Sequence, residues 1–226
     1  MPAQTMTAKK TPVRRSAAAP NPADGDPAGS RAAILAAARA EFAAHGLTGA
    51  RVNTIASRAG VNKQLIYYYF GNKDGLYRSA LETVYAEIRT QERSLNLGQM
   101  QPAAAMESLI GFSFDYLSQH PDFIGLLNHE NAAGARHVRD SDAIRDTNSP
   151  LIDLIAHTLA RGIKARVFRR GVDPVEFYIS VAGMSYFFFS NRLTLSSIFG
   201  RDLCADDAVS AYRRHVVAFA MAGLRP

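Results

Sequence analysis

The chain has a single cysteine, Cys204, among its 226 residues, so it cannot form an intramolecular disulfide. Long apolar runs are also missing. The best candidate, residues 181–189, is far shorter than the ~18–20 residues that a membrane span needs, and Asn191 and Arg192 follow it. The N-terminus has basic residues and alanines but no apolar segment of a secretory signal. We therefore expect a soluble protein of the cytoplasm with no membrane partner.

The residue patterns of common enzymes and metal sites are missing as well. The six histidines show no metal-ligand spacing, and His129-Glu130 begins like a zinc-protease motif but is followed by Ala133 where the second histidine would stand. There is no phosphate-cradling glycine loop, and the stretch from Gly183 to Ser185 lacks the final glycine of a hydrolase nucleophile motif. We expect no catalytic residue, no metal and no cofactor, and a protein that is not an enzyme.

The net charge of +6 comes entirely from the first third of the chain. Residues 30–75 carry six basic and two acidic side chains, residues 1–29 carry four and two, and residues 76–226 carry sixteen of each. A basic N-terminal module on an electroneutral body indicates a polyanionic partner for that module. Solvated surface charge without any partner is the alternative explanation.

Residues 1–29 are rich in Ala, Pro, Ser, Thr and Gly and predict a disordered tail. Its basic residues could contact phosphates, or the tail could have no role in binding. From Ser30 onward the apolar spacing is helical, with no alternation of period two. The chain is therefore predicted to be all-α, with about nine helices.

The helix boundaries follow from capping and helix-breaking residues. Ser30 is expected to cap a first helix over 31–45, which Gly46 ends in a left-handed conformation. A second helix over 52–59 ends at Gly60, and Asp74 is expected to cap the fourth helix. The predicted helices are 31–45, 52–59, 62–70, 74–95, 102–119, 121–138, 148–168, 173–191 and 205–223, with a loop or short turn at 197–203.

The second and third predicted helices have the residues of a helix-turn-helix. Ala56 is small where the two helices approach, and Gly60 supplies the freedom that the turn requires. Val61 and Ile66 fill the gap against the first helix. An ordinary helical hairpin with packed tyrosines is the alternative.

This arrangement directs a set of polar side chains outward, toward DNA. Lys63, Gln64 and Tyr68 would face the base edges, since Lys can reach guanine acceptors and Gln can pair with adenine. Tyr67, Tyr69 and Lys73 would contact phosphates. The start of the second helix, with Arg51, Asn53 and Thr54, offers backbone N–H groups and a favourable dipole to a further phosphate.

Residues 31–77 resemble the DNA-binding domain of the TetR family of bacterial regulators. The matching positions, in order and spacing, are Phe42, Gly46, Ile55, Ala56, Ala59, Gly60, Val61, Lys63, Ile66, Tyr67, Tyr69, Phe70, Lys73, Leu76 and Tyr77. Two positions depart from the pattern: Arg51 stands where many members have a capping Ser or Thr, and Asn62 stands where many have Ser.

The resemblance implies an Ω-shaped, all-helical homodimer. Residues 30–75 would form the helix-turn-helix DNA-binding domain, and residues 76–226 the helical effector-binding and dimerisation domain. Binding of an unidentified small molecule would change the separation of the two reading heads on a palindromic double-stranded operator, whose half-sites lie about 34–36 Å apart. The segment 127–131 weakly resembles the RutR subgroup, from which no ligand is transferred.

The C-terminal half provides candidates for a dimer interface and a ligand pocket. The aromatic segment 177–189 and the last helix are expected to form a four-helix dimer interface, with packing inside one subunit as the alternative. The candidate pocket residues are Phe112, Tyr116, Leu127, Asn128, His129, Tyr186 and Asn191.

Two functions remain open from the sequence. The first is a transcriptional regulator, expected to be a repressor that a small-molecule effector releases from its operator. The alternative is a DNA-binding regulator without such an effector, controlled by a protein partner. A C-terminal domain with no cavity would favour the second.

Overall fold

A computed structural model of the protein describes residues 27–226, except for the side chains of Asn148 and Ser149. Residues 1–26 of the predicted tail lie outside this range. Within it the backbone forms helices and no strands, as the sequence predicted. The helices are α1 (Pro27–Gly49), α2 (Val52–Ala59), α3 (Lys63–Phe70), α4 (Lys73–Ser94), α5 (Pro102–Gln119), α6 (Pro121–Ala132), α7 (Arg136–Arg139), α8 (Asp142–Lys164), α9 (Pro174–Phe199) and α10 (Asp206–Ala222), with a 3-10 turn at Leu97–Gln99 between α4 and α5.

Two of the expected N-terminal caps are wrong. Ser30 lies inside α1, which begins at Pro27 because proline fits the first turn of a helix. The cap of α4 is Asn72 and not Asp74, since the Asn72 side chain accepts a hydrogen bond from the Gly75 N–H at 2.7 Å. Gly46 does interrupt α1, but with φ 62° and ψ 179° it is extended in ψ and not left-handed helical.

Four boundaries in the C-terminal half are corrected. The helix expected over 121–138 is two helices, because Gly134 and Ala135 have positive φ angles. Ser141 caps α8, which begins at Asp142, six residues before the expected start, and ends at Lys164. The loop expected at 197–203 begins only after Phe199, because Gly200 provides the left-handed C-cap of a longer α9.

Helix α4 joins the two halves of the molecule. Its first turns bury Leu76 and Tyr77 against α1, where the rings of Phe42 and Tyr77 meet edge-to-face at 4.9 Å. Its later turns face α5, α8 and the rest of the body. The expected domain boundary at 75/76 therefore falls within a continuous helix.

Candidate DNA-binding surface and effector cavity

The helix-turn-helix is held together by a small buried core. Ile55, Ala56 and Ile66 are buried between α1, α2 and α3. Gly60 ends α2 in the left-handed conformation, with φ 66° and ψ 29°, and the N–H of Val61 then bonds to the Ala56 carbonyl at 3.0 Å. This turn sets the direction in which α3 leaves the core.

Helix α3 presents polar side chains to solvent. Lys63 and Gln64 are exposed in its first turn, where the Asn62 side chain caps the helix by accepting from the Gln64 N–H at 2.9 Å. Tyr68 is 61% exposed and Tyr67 40% exposed. These four side chains are accessible on α3, and lysine and glutamine side chains can hydrogen-bond to base edges.

The residues expected to contact phosphates are placed less uniformly. Arg51 and Asn53 are exposed and Thr54 is half-buried at the start of α2. Tyr69 is half-buried and packs against the core. Lys73 is half-buried, and its Nζ donates to the carbonyl of Thr48 at 3.2 Å.

A buried glutamate that the sequence reasoning missed anchors the start of α2. No side chain caps α2 among the described residues, but the Arg51 N–H donates to Glu41 Oε1 at 3.1 Å. Glu41 Oε2 lies 3.2 Å from the Arg58 guanidinium. A carboxylate at this helix end stabilises the positive pole of its dipole. The available signal was an acidic residue beside the apolar stripe of the first helix.

The body contains a cavity of about 540 Å³ between α4, α5, α6 and α9. Its volume lies within the range of small-molecule sites. Three of the candidate pocket residues, Phe112, Leu127 and Tyr186, line it. The full lining is Tyr85, Ile88, Arg89, Glu92, Phe112, Ser113, Leu117, Phe123, Leu127, Asn131, Tyr178, Ile179, Ala182, Gly183 and Tyr186.

The other four candidates lie outside this lining. Asn128 accepts a hydrogen bond from the Tyr186 hydroxyl just outside it. Tyr116 is buried with its ring 4.2 Å from that of His120. The His129 ring packs against Gly46, and the Asn191 side chain donates to its own helix.

Two charged residues of the cavity wall, Arg89 and Glu92, were not singled out from the sequence. Both are only 4% exposed. Arg89 Nη1 lies 2.7 Å from Glu92 Oε2, but the pair lacks hydrogen-bond geometry, and Nε has no partner among the described residues. Burial raises the pKa of Glu92, against the opposing effect of Arg89. In the sequence, an arginine and a glutamate three positions apart on a helix look the same whether they are buried in a cavity wall or solvated on the surface.

Helix α6 contacts both the cavity and the DNA-binding half. Phe123 and Leu127 line the cavity. Gly125 packs so closely on α1 that a Cβ there would lie 2.6 Å from the Ala43 carbonyl oxygen. Beside this contact, Arg39 of α1 forms ion pairs with Asp122 of α6 and with Glu87 of α4.

The aromatic segment of α9 is divided between core and surface. Phe188 and Phe189 are buried within the protomer, and Phe188 stacks on Tyr212 of α10 at 4.2 Å. Other large apolar residues of α9 and α10 remain exposed. This exposed apolar surface comprises Val175, Ile179, Phe187, Leu193, Ile198 and Phe199 of α9 and Phe219 of α10.

The described residues include neither a metal site nor a membrane-spanning helix. No three of their His, Cys, Asp and Glu side chains are grouped as a metal site would require. None of the helices over residues 27–226 combines the length and apolar character of a membrane span.

Two family models match the chain. The model described as "Tetracyclin repressor-like, C-terminal domain" matches residues 102–219, more than half of the chain, and "Bacterial regulatory proteins, tetR family" matches residues 34–80. The chain belongs to the TetR family. The resemblance found in the sequence is thereby confirmed, and this TetR-family protein is a DNA-binding transcriptional regulator and not an enzyme.

Named relatives agree with the family. The chain is 34% identical over 192 residues to the HTH-type transcriptional repressor NicS of Pseudomonas putida, which covers 85% of this chain and 91% of NicS. It is 31% identical over 125 residues to the regulator RutR of Escherichia coli, covering 53% and 58%. The fold matches the fatty acid degradation regulator FadR of Bacillus halodurans with a TM-score of 0.68 at 20% identity, covering 87% and 96%.

Proposed function

We propose that this TetR-family regulator is a cytoplasmic, dimeric repressor that leaves a palindromic operator when a small molecule enters the cavity. The observation that carries the proposal is the double contact of α6. Its residues Phe123 and Leu127 line the cavity, and Gly125 packs against α1 of the DNA-binding half. A ligand that moves α6 therefore moves α1, because close-packed helices cannot absorb a displacement locally.

The DNA contacts divide into two roles. Lys63, Gln64 and Tyr68 would read bases from the exposed surface of α3. Phosphate contacts would come from Tyr67, Tyr69 and Lys73, and from the start of α2 with Arg51, Asn53 and Thr54.

Selection of bound DNA from a random library, with and without a metabolite pool, tests the repressor function. We expect a palindrome whose recovery falls when the effector is present. Recovery of DNA without sequence preference would contradict the proposal, and selection of a palindrome that no metabolite affects would contradict the effector response.

Variants of three residues separate the two kinds of contact. Lys63→Ala and Gln64→Ala should each relax the preference at particular bases by about 1–3 kcal/mol. Lys73→Ala should weaken binding to all sequences equally and reduce the salt dependence by about one charge. Fluorescence anisotropy at several salt concentrations measures both effects. If all three variants changed base preference and salt dependence in the same way, α3 would not be the helix that contacts the base edges.

The exposed apolar surface of α9 and α10 supports a dimer. Leu193 is 74% exposed and Ile198 71% exposed, which is unusual for large aliphatic side chains on a surface without a partner. Leu193→Glu should yield monomers in sedimentation experiments and lose cooperative operator binding. Val167→Glu, at an exposed position between α8 and α9, is the matched control and should remain dimeric. A dimeric Leu193→Glu protein would remove this interface from the proposal.

A further inference from the structure

The cavity wall contains a buried cation, Arg89, whose Nε and Nη1 have no hydrogen-bond partner among the described residues. Arg89 is 4% exposed, and no acceptor reaches its Nε among the residues that the structure describes. Its close neighbour Glu92 is at ion-pair distance without hydrogen-bond alignment. Buried charged groups are normally both paired and hydrogen-bonded, so this guanidinium lacks an acceptor that a ligand could supply.

The rest of the wall is largely apolar and aromatic. Phe112 and Phe123 contribute rings from α5 and α6, and Tyr178 and Tyr186 contribute rings from α9. Tyr85 completes the set from α4, one turn before Arg89. Flat apolar rings stack favourably on such walls.

We propose that the cavity binds an aromatic carboxylate, with the carboxylate on the Arg89 guanidinium and the ring between the aromatic side chains. This rests on the proposed function, because it assigns the effector site to this cavity. Arginine suits the role since its planar fork can donate two parallel hydrogen bonds to one carboxylate.

A cationic ligand fits the same wall less well. It would add a second positive charge beside Arg89, and Glu92 already lies 2.7 Å from that guanidinium. Burial raises the pKa of Glu92, against the opposing effect of Arg89. An anion would supply the acceptor that Arg89 Nε and Nη1 lack, whereas a cation would be repelled by the guanidinium.

Calorimetric titration of the full-length protein without DNA tests the inference. The probes are benzoate, 4-hydroxybenzoate, phenylacetate and indole-3-acetate, each compared with its neutral primary amide. We expect at least one acid to bind about 10- to 100-fold more tightly than its amide, the ratio that charge-assisted hydrogen bonds provide. Absence of saturable binding by all four acids, or equal affinity for acids and amides, would overturn it.

Variants assign the effect to Arg89. Arg89→Met should reduce the affinity of the acid about 10- to 100-fold and leave that of the amide unchanged. The matched control is Arg93→Met, which removes an exposed arginine one turn later on α4 and should change neither. If Arg89→Met does not fold, the double variant Arg89→Met/Glu92→Leu removes both buried charges and should show the same loss.

Glu92→Gln gives a prediction of opposite sign. It retains Arg89 and removes the carboxylate beside it, so acid binding should be unchanged or tighter. Weaker binding of the acid would contradict the inference that the Arg89 guanidinium alone holds the ligand carboxylate. Operator release is measured separately: acid binding without release contradicts the repressor mechanism alone, and release by a metabolite other than an acid contradicts this inference alone.

Discussion

Replacing Gly125 with alanine should separate the two helices that connect the cavity to the DNA-binding half. An alanine in a helix is ordinarily favoured over glycine by about 1 kcal/mol. At Gly125, however, the Cβ would lie 2.6 Å from the Ala43 carbonyl oxygen and 3.2 Å from the Ala43 Cα. That oxygen contact is about 0.7 Å shorter than the ~3.3 Å of close carbon–oxygen contacts between helices.

The contact is with backbone, so no side chain can rotate to relieve it. Overpacking of this kind costs about 1–3 kcal/mol or more. After subtracting the helix-propensity gain, Gly125→Ala should destabilise the protein by up to about 2 kcal/mol, a decrease in Tm of up to about 8 °C for a chain of this size. Thermal and urea unfolding monitored by circular dichroism measure it.

Gly183→Ala is the matched control. Gly183 is also inside a helix, α9, and a Cβ there has no neighbouring atom within 4 Å. This variant should be stabilised by about 0.5–1 kcal/mol. If both variants raised Tm equally, the contact between α1 and α6 at Gly125 would not be tightly packed. The proposed coupling of the cavity to the DNA-binding half through α6 would then lose its support.

Three further predictions concern the helix-turn-helix and the cavity wall. Gly60→Ala should destabilise the turn by about 1–2 kcal/mol because φ is 66°, and Gly60→Asn should be milder; equal urea midpoints would refute this. Asn62→Ala should cost about 1 kcal/mol and Asn62→Ser much less, since a side-chain oxygen caps α3; equal losses would exclude the cap. Burial, and secondarily Tyr178, raises the pKa of Tyr85 from 10.0 to about 12, so its contribution to stability is complete below pH 10 and is lost as the pH rises to 12. Tyr85→Phe should reduce that alkaline decrease in unfolding free energy, and an unchanged slope would contradict the assignment.

The helix-turn-helix could be predicted from the sequence because its determinants are local. The sequence predicts a helix over 52–59, the bounds that α2 has, and Gly60 fixes its end. Val61 and Ile66 were expected inside and Lys63 and Gln64 outside, and the spacing of a short helix suffices for that.

The misses have two causes, competing local signals and contacts between segments far apart in the chain. Neither Ser30 nor Asp74 caps a helix, because Pro27 and Asn72 offered competing starts that local preference cannot rank. Arg89 belongs to the cavity wall only because α5, α6 and α9 enclose it. The expected pocket residues Phe112, Leu127 and Tyr186 do line the cavity, because apolar and aromatic residues are the usual lining of a pocket. A charged residue in an apolar wall has no sequence periodicity of its own.

The continuity of α4 has a consequence for exchanging modules between regulators. Leu76 and Tyr77 belong to the core of the DNA-binding half, whereas Arg89 and Glu92 belong to the cavity wall. A hybrid joined before Tyr77 or after Tyr85 therefore combines side chains of one unit with those of the other. A helix-turn-helix domain exchanged together with the whole of α4 would also replace Arg89, the proposed partner of the ligand carboxylate. DNA specificity and ligand specificity would then change together.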